Sequence, residues 1–208
     1  MQPFDLIVTE IGMLMDKITK RRHTPSLPSR ALLALIAYHR GVHVTFTQSY
    51  PATVDAVWAM LRDPQYVVWR TQHSIGSSKL NSAEVVDASD GGFTVLVNRT
   101  ISTDQVSAQA RSFLGSEVEL RQAEVWAAPV GGQRTGTIAQ DIVGVPMNIA
   151  GTMRLEASDQ GCEITYEGRI MVSVPIFGAT IASAAEQRIR TALQAEEEAG
   201  RLWLAGQR

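Results

Sequence analysis

The sequence predicts an α+β fold, in which a curved antiparallel sheet of about seven strands wraps around one long C-terminal helix. Three observations predict it: successive segments with period-two alternation joined by short turns, two short helical segments after the first strand, and a long amphipathic segment at the end. Consecutive strands with tight turns favour antiparallel pairing, and the last helix is available to cover the sheet. A space between such a sheet and helix is a common place for small ligands.

The first strand and the two short helices follow from apolar spacing. Val44 and Phe46 share one face of a strand that Pro51 ends. The next segment has apolar residues at i, i+3, i+4 and i+7, which puts them on one helical face: Val54, Val57, Trp58 and Leu61. Asp63-Pro64 closes this helix, and a second is expected from Tyr66 to about His73.

The later strands are separated by turn residues. Residues 103–115 break the alternation and predict a loop or short helix. The strands are expected at 80–87, 93–101, 118–126, 135–143 and 147–155, with a last one from Cys162 to Pro175.

The final segment, from about Ala179 to Leu204, has a helical composition. Its apolar residues form one stripe, so the helix is expected to lie against the sheet: Phe177, Ile181, Ala185, Ile189, Ala192, Ala199 and Trp203.

Residues 1–42 differ from the rest. A basic cluster at 17–22 precedes a short apolar run at 31–38, and no small-x-small cleavage site follows it. The run is shorter than the ~20 apolar residues that a membrane span needs, so no stable membrane insertion is expected. We expect residues 1–42 to be a poorly ordered or loosely packed extension and residues 43–208 to be the domain.

Composition excludes several classes of protein. The 208 residues are 45% hydrophobic and 19% charged, which is ordinary for a globular protein. Because 19 basic and 21 acidic residues give a formal net charge of −2, no nucleic-acid partner is expected. The single cysteine, Cys162, cannot form an internal disulfide and suits a cytoplasmic location. No metal site or cofactor is predicted, and the oligomeric state stays open.

The order of elements, together with residues 49–66, resembles the START-like superfamily (SRPBCC, related to polyketide cyclases and dehydrases). The residues that match its opening motif are Pro51, Val57, Trp58, Leu61, Asp63, Pro64 and Tyr66. Two further segments, 122–126 and 174–178, resemble an actinobacterial subgroup of unknown function. The resemblance implies the helix-grip fold and a hydrophobic cavity whose entrance lies near the short helices and loops. It implies no common reaction, because members include enzymes, carriers and regulators.

Charged and polar residues on faces that should be dry are the candidates for binding. Arg99 shares a strand face with Val95 and Val97, Arg188 falls within the stripe of the last helix, and Glu124 shares a face with Trp126. A buried charge must be paired, hydrated or close to a cavity. An arginine in an apolar cavity would orient the acidic end of an amphipathic ligand.

We therefore predict a binding or carrier protein for a hydrophobic small molecule such as a lipid, polyketide or isoprenoid. The predicted polar ligand-binding residues are Arg99, Arg188, Glu124 and Gln140, and the predicted apolar lining is Tyr66, Trp69 and Tyr166.

No catalytic residue is assigned, since the familiar nucleophile, metal and phosphate-loop motifs are absent. One alternative is a cyclase or dehydratase that uses Arg99 with Glu124 or His73 as acid and base. The other is a protein-interaction module whose sheet mouth holds a partner chain.

Overall fold

The computed structural model describes residues 41–73, 78–104, 111, 115–172 and 178–207, without the side chains of 178–180 and 184. The expected extension at 1–42 therefore lies almost entirely outside the described residues, as do Phe177 and most of the segment 103–115. None of the helices described is long and apolar enough to cross a membrane.

The described residues form seven strands and three helices. In chain order these are β1 (Val42–Tyr50), α1 (Val54–Leu61), α2 (Pro64–His73), β2 (Ser78–Asp87), β3 (Phe93–Ser102), β4 (Glu117–Trp126), β5 (Arg134–Ile142), β6 (Met147–Ser158), β7 (Gly161–Val172) and α3 (Gly178–Leu204). All strands join one antiparallel sheet in the order β1-β7-β6-β5-β4-β3-β2. The predicted helix-grip α+β fold is confirmed.

Local signals account for the turn from the sheet into the helices. The hydroxyl of Thr53 accepts a hydrogen bond from the backbone N–H of Ala56 and so caps α1. After α1, the carboxylate of Asp63 accepts from the N–H of Gln65 at 2.8 Å, which starts α2 at Pro64. Both short helices therefore begin where the capping residues stand in the sequence.

Paired glycines let the sheet curve beneath α3. Gly151 of β6 lies opposite Gly168 of β7, and a Cβ at Gly151 would come within 2.6 Å of the carbonyl oxygen of Glu167. Glycine is required where two backbones approach this closely. Helix α3 then lies along the inner face of the sheet, packed on β1, β7 and α2.

The interior is closed by large side chains at the end beneath the two short helices. Six of its inward-facing residues leave almost no surface exposed, and we call this region the closed end: Phe93, Val95, Trp126, Met153, Leu155 and Ile164. The indole of Trp58, on α1, lies edge-on to both Phe93 and Trp126 at centroid distances of 4.9 and 5.7 Å.

Only one side of α3 contacts the interior. Ala199, Gly200 and Trp203 are buried, whereas Gln187, Thr191, Gln194 and Glu198 form an exposed row. Arg188 lies beside that row and is exposed. The expectation that Arg188 faces the interior is therefore wrong, because the predicted stripe was wider than the face that touches the sheet.

Candidate functional site

Polar side chains from five elements meet in the middle of the interior. We call this set the polar layer: Arg70 of α2, Arg99 of β3, Gln122 and Glu124 of β4, Gln140 of β5 and Glu196 of α3. The strand register explains why these side chains lie at mid-strand. Glu124 pairs with Val95 and Gln122 with Val97, and these pairs lie between the closed end and the far ends of β3 and β4.

The centre of the layer is an ion pair between Arg70 and Glu124. The Nη2 atom of Arg70 lies 2.6 Å from Oε1 of Glu124, and their side chains are only 4% and 3% exposed. Burial lowers the pKa of Arg70, but the carboxylates of Glu124 and Glu196 outweigh burial and leave that pKa above the ordinary arginine value. The pair is thus a closed, charge-balanced unit inside the fold.

Two glutamines extend this pair across the sheet. The amide of Gln122 donates to Oε1 of Glu124 at 2.6 Å, and the amide of Gln140 donates to the amide oxygen of Gln122 at 2.7 Å. Because Gln122 and Gln140 are direct cross-strand partners, the chain of bonds follows the register of β4 and β5. Gln122 and Arg70 therefore both donate to the same carboxylate oxygen of Glu124.

Arg99 and Glu196 are the second pair of charges in the layer. Arg99 is 7% exposed on the inward face of β3, and Glu196 is half-buried on α3. Burial lowers the pKa of Arg99, with the Glu196 carboxylate opposing and Arg70 adding to the effect. Burial likewise raises the pKa of Glu196, although Arg70 and Arg99 both attract its charge. At both residues the effect of burial on the pKa exceeds that of the neighbouring opposite charges, whereas at Arg70 the neighbouring carboxylates outweigh burial.

Three tyrosines adjoin the layer beneath α3. The hydroxyls of Tyr50 and Tyr166 both donate to Oε1 of Gln48, at 3.0 and 3.2 Å, while the amide of Gln48 donates to the carbonyl of Leu193 at 2.8 Å. Tyr66 approaches them at Gly200, where a Cβ would lie 2.7 Å from Cε1 of Tyr50 and 2.9 Å from Oη of Tyr66. Burial raises the pKa values of all three phenols, so they stay neutral at physiological pH.

The predicted aromatic lining residues lie mainly in the packed core. Tyr66 is buried with its ring edge-on to Trp203 at 5.5 Å, and Tyr166 is buried in the same core cluster. Trp69 is half-buried and donates from Nε1 to the carbonyl of Ala199 at 3.2 Å. Tyr66 and Trp69 therefore contact α3 from α2, and Tyr166 of β7 is linked to α3 through Gln48.

At the far ends of β3 to β6, inward-facing apolar side chains are only half-buried. We call this region the open end: Ile101, Val118, Ile142 and Ile149. They follow the alternation that buries Phe93, Val95 and Trp126 on the same strands. Each of these side chains keeps part of its apolar surface exposed, and Ile149 also packs against the buried cluster of Val44, Ile170 and Ala182.

Two clefts outside the grip are also lined by described residues. One, of about 460 Å³, crosses the outer face of β4 to β7 at Val125, Thr137, Thr152 and Thr165. The other, of about 450 Å³, lies where the β6–β7 turn meets Tyr50 and Arg201. Neither includes a member of the polar layer.

The groups considered for acid–base chemistry do not face a common space. His73 is exposed, lies 2.8 Å through Nδ1 from the carbonyl of Trp69, and stacks on the Trp69 ring at 3.7 Å. Glu124 is held by Arg70 and Gln122. Burial raises the pKa of the Cys162 thiol to about 11, which suits an inert core residue. Within the described ranges, no group of three His, Cys, Asp or Glu residues could hold a metal ion.

Arg70, Gln48 and Tyr50 belong to the polar interior, although their sequence pattern did not single them out. Arg70 occupies the buried face of α2 with Tyr66 and Val67, at the i+4 and i+3 positions. Gln48 continues the inward row of Val44 and Phe46 on β1. A polar residue standing where the pattern requires an apolar one was the available signal in both cases.

A family model described as "Protein of unknown function (DUF2505)" matches residues 45–204. This range contains every element except the first residues of β1. No curated protein matches the chain.

Several solved structures are similar to the chain. An uncharacterised protein from Rhizobium leguminosarum has a TM-score of 0.50 at 10% identity and covers 78% of this chain and 96% of its own. TTHA0849 from Thermus thermophilus has a TM-score of 0.49 at 15% identity, covering 80% and 100%. Ara h 8.0201 has a TM-score of 0.49 at 13% identity, covering 80% and 99%. At identities this low the likeness concerns the fold and not the ligand.

Proposed function

The chain belongs to the family described as a protein of unknown function, DUF2505, and on that premise we propose that it binds a hydrophobic small molecule inside the grip. The ligand is of the lipid, polyketide or isoprenoid kind. Its apolar body contacts the open end, and its polar end points to Arg99.

The observation that carries this proposal is the uncovered apolar surface at the open end. Ile101 and Val118 face inward as cross-strand partners and are half-buried. Ile142 of β5 is also half-buried, and Ile149 of β6 is half-buried where it packs against the cluster of Val44, Ile170 and Ala182. Removing such surface from water stabilises a complex by roughly 25 cal/mol per Å².

The polar layer supplies the orientation of the ligand. Arg99 lies one inward position from Ile101 on β3 and is opposite Leu120 of β4. A guanidinium at the border of an apolar surface favours an amphipathic ligand over a pure hydrocarbon, since burial disfavours its ionised form and an acidic group beside it offsets that cost. Tyr66 and Tyr166 are buried in the adjoining core and Trp69 is half-buried against it, and their contact with a ligand stays a prediction.

The positions of the described side chains give less support to the enzyme and interaction-module alternatives than to ligand binding. The cyclase or dehydratase hypothesis requires a carboxylate or imidazole near bound substrate, whereas Glu124 is committed to Arg70 and His73 is exposed. The interaction-module hypothesis requires an exposed apolar patch. The large exposed apolar residues in the described part of the chain are Val86, Val130 and Val143, each on a different loop or strand end.

A blocking substitution with a matched control tests the proposal. Ile149 faces inward on β6, and its neighbour Asn148 faces outward and is exposed. Fluorescence titration with dansylaminoundecanoic acid is expected to show one saturable site in the wild-type chain. Ile149→Trp should weaken binding at least about tenfold by filling the open end, and Asn148→Trp should leave it unchanged.

Native mass spectrometry of the purified chain gives a second readout, in which a co-purified apolar molecule should appear as a single mass increment. The proposal is wrong if the probe shows no saturable binding, or if both tryptophan variants bind as the wild-type chain does while thermal unfolding shows that both are folded.

A further inference from the structure

Resting on the proposed function, we propose that the ligand carries a hydroxyl group on its apolar body, and that the side-chain oxygen of Gln140 accepts the hydrogen bond which this hydroxyl donates. The ligand class is thereby narrowed from amphipathic molecules in general to hydroxylated ones, such as a hydroxy fatty acid or a reduced polyketide. Gln140 is then a specificity-determining residue, because it distinguishes a donor from an acceptor at one place in the site.

Gln140 lies on the inner face of β5, at the border between the polar layer and the open end. Its cross-strand partner on β6 is Ile149, and Ile142 follows two residues later on the same face of β5. Both isoleucines belong to the open end, and Gln140 itself is half-buried. A polar group that Gln140 contacts is therefore carried by the part of the ligand that contacts these isoleucines.

The direction of the hydrogen bonds in the polar layer determines how the Gln140 amide is turned. Oε1 of Glu124 accepts from Nη2 of Arg70 and from Nε2 of Gln122, both at 2.6 Å. A carboxylate paired with an arginine accepts hydrogen bonds and donates none, so Gln122 must present its amide nitrogen to Glu124. The amide oxygen of Gln122 is thereby left to face β5.

The next bond in this chain leaves the oxygen of Gln140 for a donor. The amide oxygen of Gln122 accepts from Nε2 of Gln140 at 2.7 Å. If the Gln140 amide were turned round, two oxygens would face each other, so the ion pair fixes its orientation through Gln122. This is the one hydrogen bond that the Gln140 side chain makes with the described residues. An amide oxygen has two lone pairs, and here it accepts from a ligand.

The chemistry around Gln140 favours a neutral hydroxyl over the other polar groups of a ligand. A ketone or carboxylate at this place would set a second acceptor against the oxygen of Gln140. An ammonium group would donate, but it would bring an unpaired charge out of water, since Glu124 already pairs with Arg70. A hydroxyl donates to Gln140 without either cost.

The experiment compares two derivatives of stearic acid, one with a hydroxyl at its tenth carbon (the hydroxy acid) and one with a ketone there (the keto acid). They differ in that the keto acid can only accept a hydrogen bond at this carbon. In the proposed function their carboxylate lies at Arg99, two strands and roughly 10 Å across the sheet from Gln140. Each acid, with unmodified stearic acid as the reference, is titrated to displace dansylaminoundecanoic acid from the chain.

The wild-type chain should bind the hydroxy acid about tenfold more tightly than the keto acid, which is the effect of one hydrogen bond. Gln140→Met removes the amide with little change of shape, so the two acids should bind equally while stearic acid still binds. Gln194→Met is the matched control, because it makes the same substitution on the exposed row of α3. It should keep the wild-type ratio.

Gln122→Met tests whether Gln122 positions Gln140. Without Gln122, the Gln140 amide can turn either its oxygen or its nitrogen towards the ligand. The ratio between the hydroxy and keto acids should then fall towards one, although Gln140 is still present. A structural role of Gln122 alone would change the affinity for all three acids alike and leave the ratio unchanged.

The inference is overturned, with the proposed function intact, if stearic acid binds and the wild-type chain binds the hydroxy and keto acids equally. It is also overturned if Gln140→Met keeps the wild-type ratio, and a wild-type ratio in Gln122→Met contradicts the orientation of Gln140 by Gln122. The comparison of the two acids in the wild-type chain decides even where a variant fails to fold. If neither stearic acid nor the dansyl probe binds, the proposed function fails and this inference falls with it.

Discussion

The closed end and the open end of the interior are built on the same strands, but their side chains are buried to different degrees. On β3, Phe93 and Val95 at the closed end are fully buried, whereas Ile101 at the open end is half-buried. The polar layer lies between them. Burial alone would favour a uniform apolar core, so the charged layer beside partly exposed apolar side chains is the feature on which the proposed binding function depends.

The charged residues of the polar layer are also of two kinds. The Arg70–Glu124 pair lies in direct contact and is part of the packed structure. At Arg99 and Glu196 burial outweighs the attraction of neighbouring charges and shifts the pKa of each group so as to favour its neutral form. Stability is therefore expected to depend on the Arg70–Glu124 pair and ligand binding on Arg99.

The largest effect is expected from breaking the structural pair. Glu124→Gln leaves the guanidinium of Arg70 buried without its carboxylate, and the free energy of unfolding should fall by about 3–5 kcal/mol. Urea unfolding followed by tryptophan fluorescence measures this change. The double variant Arg70→Met/Glu124→Leu removes both charges and should recover most of the loss. A double variant as unstable as Glu124→Gln would show that the uncompensated charge of Arg70 is not the cause of the lost stability.

Truncations at the two ends should differ in cost. Leu155 is fully buried at the closed end, so Leu155→Ala should lower the free energy of unfolding by about 2–5 kcal/mol. Ile142→Ala at the half-buried open end should cost less than about half as much, because less surface is lost from the core. Equal costs, measured by the same urea titration, would contradict the distinction between the two ends.

The smallest effect is a pH dependence of stability that comes from Glu196. Because burial raises the pKa of Glu196 in the folded chain, its contribution to stability is complete below the pKa of an unfolded glutamate and is lost as the pH rises through the raised value. Glu196→Gln should therefore be more stable than the wild-type chain at neutral pH, with the difference vanishing in acid. Thermal unfolding of both chains from acid to neutral pH measures this difference in stability.

Comparison with the variant isolates Glu196, since the other carboxyl groups are present in both chains. The pKa of Asp141 is raised by burial, while hydrogen bonds from Arg62 and Arg121 lower the pKa values of Asp87 and Glu119. A difference between the two chains that does not change with pH would contradict the role given to Glu196.

Alternation and helical spacing were sufficient to predict the fold, because they determine which side of each element is buried. The strand predicted at 93–101 is Phe93–Ser102, and the helix predicted from about 179 is Gly178–Leu204. The inward positions of Arg99 and Glu124 followed from the same alternation. These elements are long and regular, and tight turns separate the strands.

The partners inside the fold could not be predicted in this way. Arg70 lies 54 positions from Glu124 in the chain, and only the packing of α2 over the sheet brings them together. Arg188 was expected inside because a helical wheel gives the width of an apolar stripe but not which part of it touches the sheet. Glu196 was not among the predicted binding residues, and the contacts of Leu193 and Gly200 show that it faces inward.

Selective labelling of isoleucine methyl groups tests the central claim most directly, since described isoleucines mark both ends. During titration with dansylaminoundecanoic acid, the methyl signals of Ile101, Ile142 and Ile149 at the open end should shift and saturate at one equivalent. The signal of Ile164, fully buried at the closed end, should stay in place. Shifts confined to Ile164, or no saturable shift at the open end, would contradict the proposal that the ligand binds inside the grip beyond the polar layer.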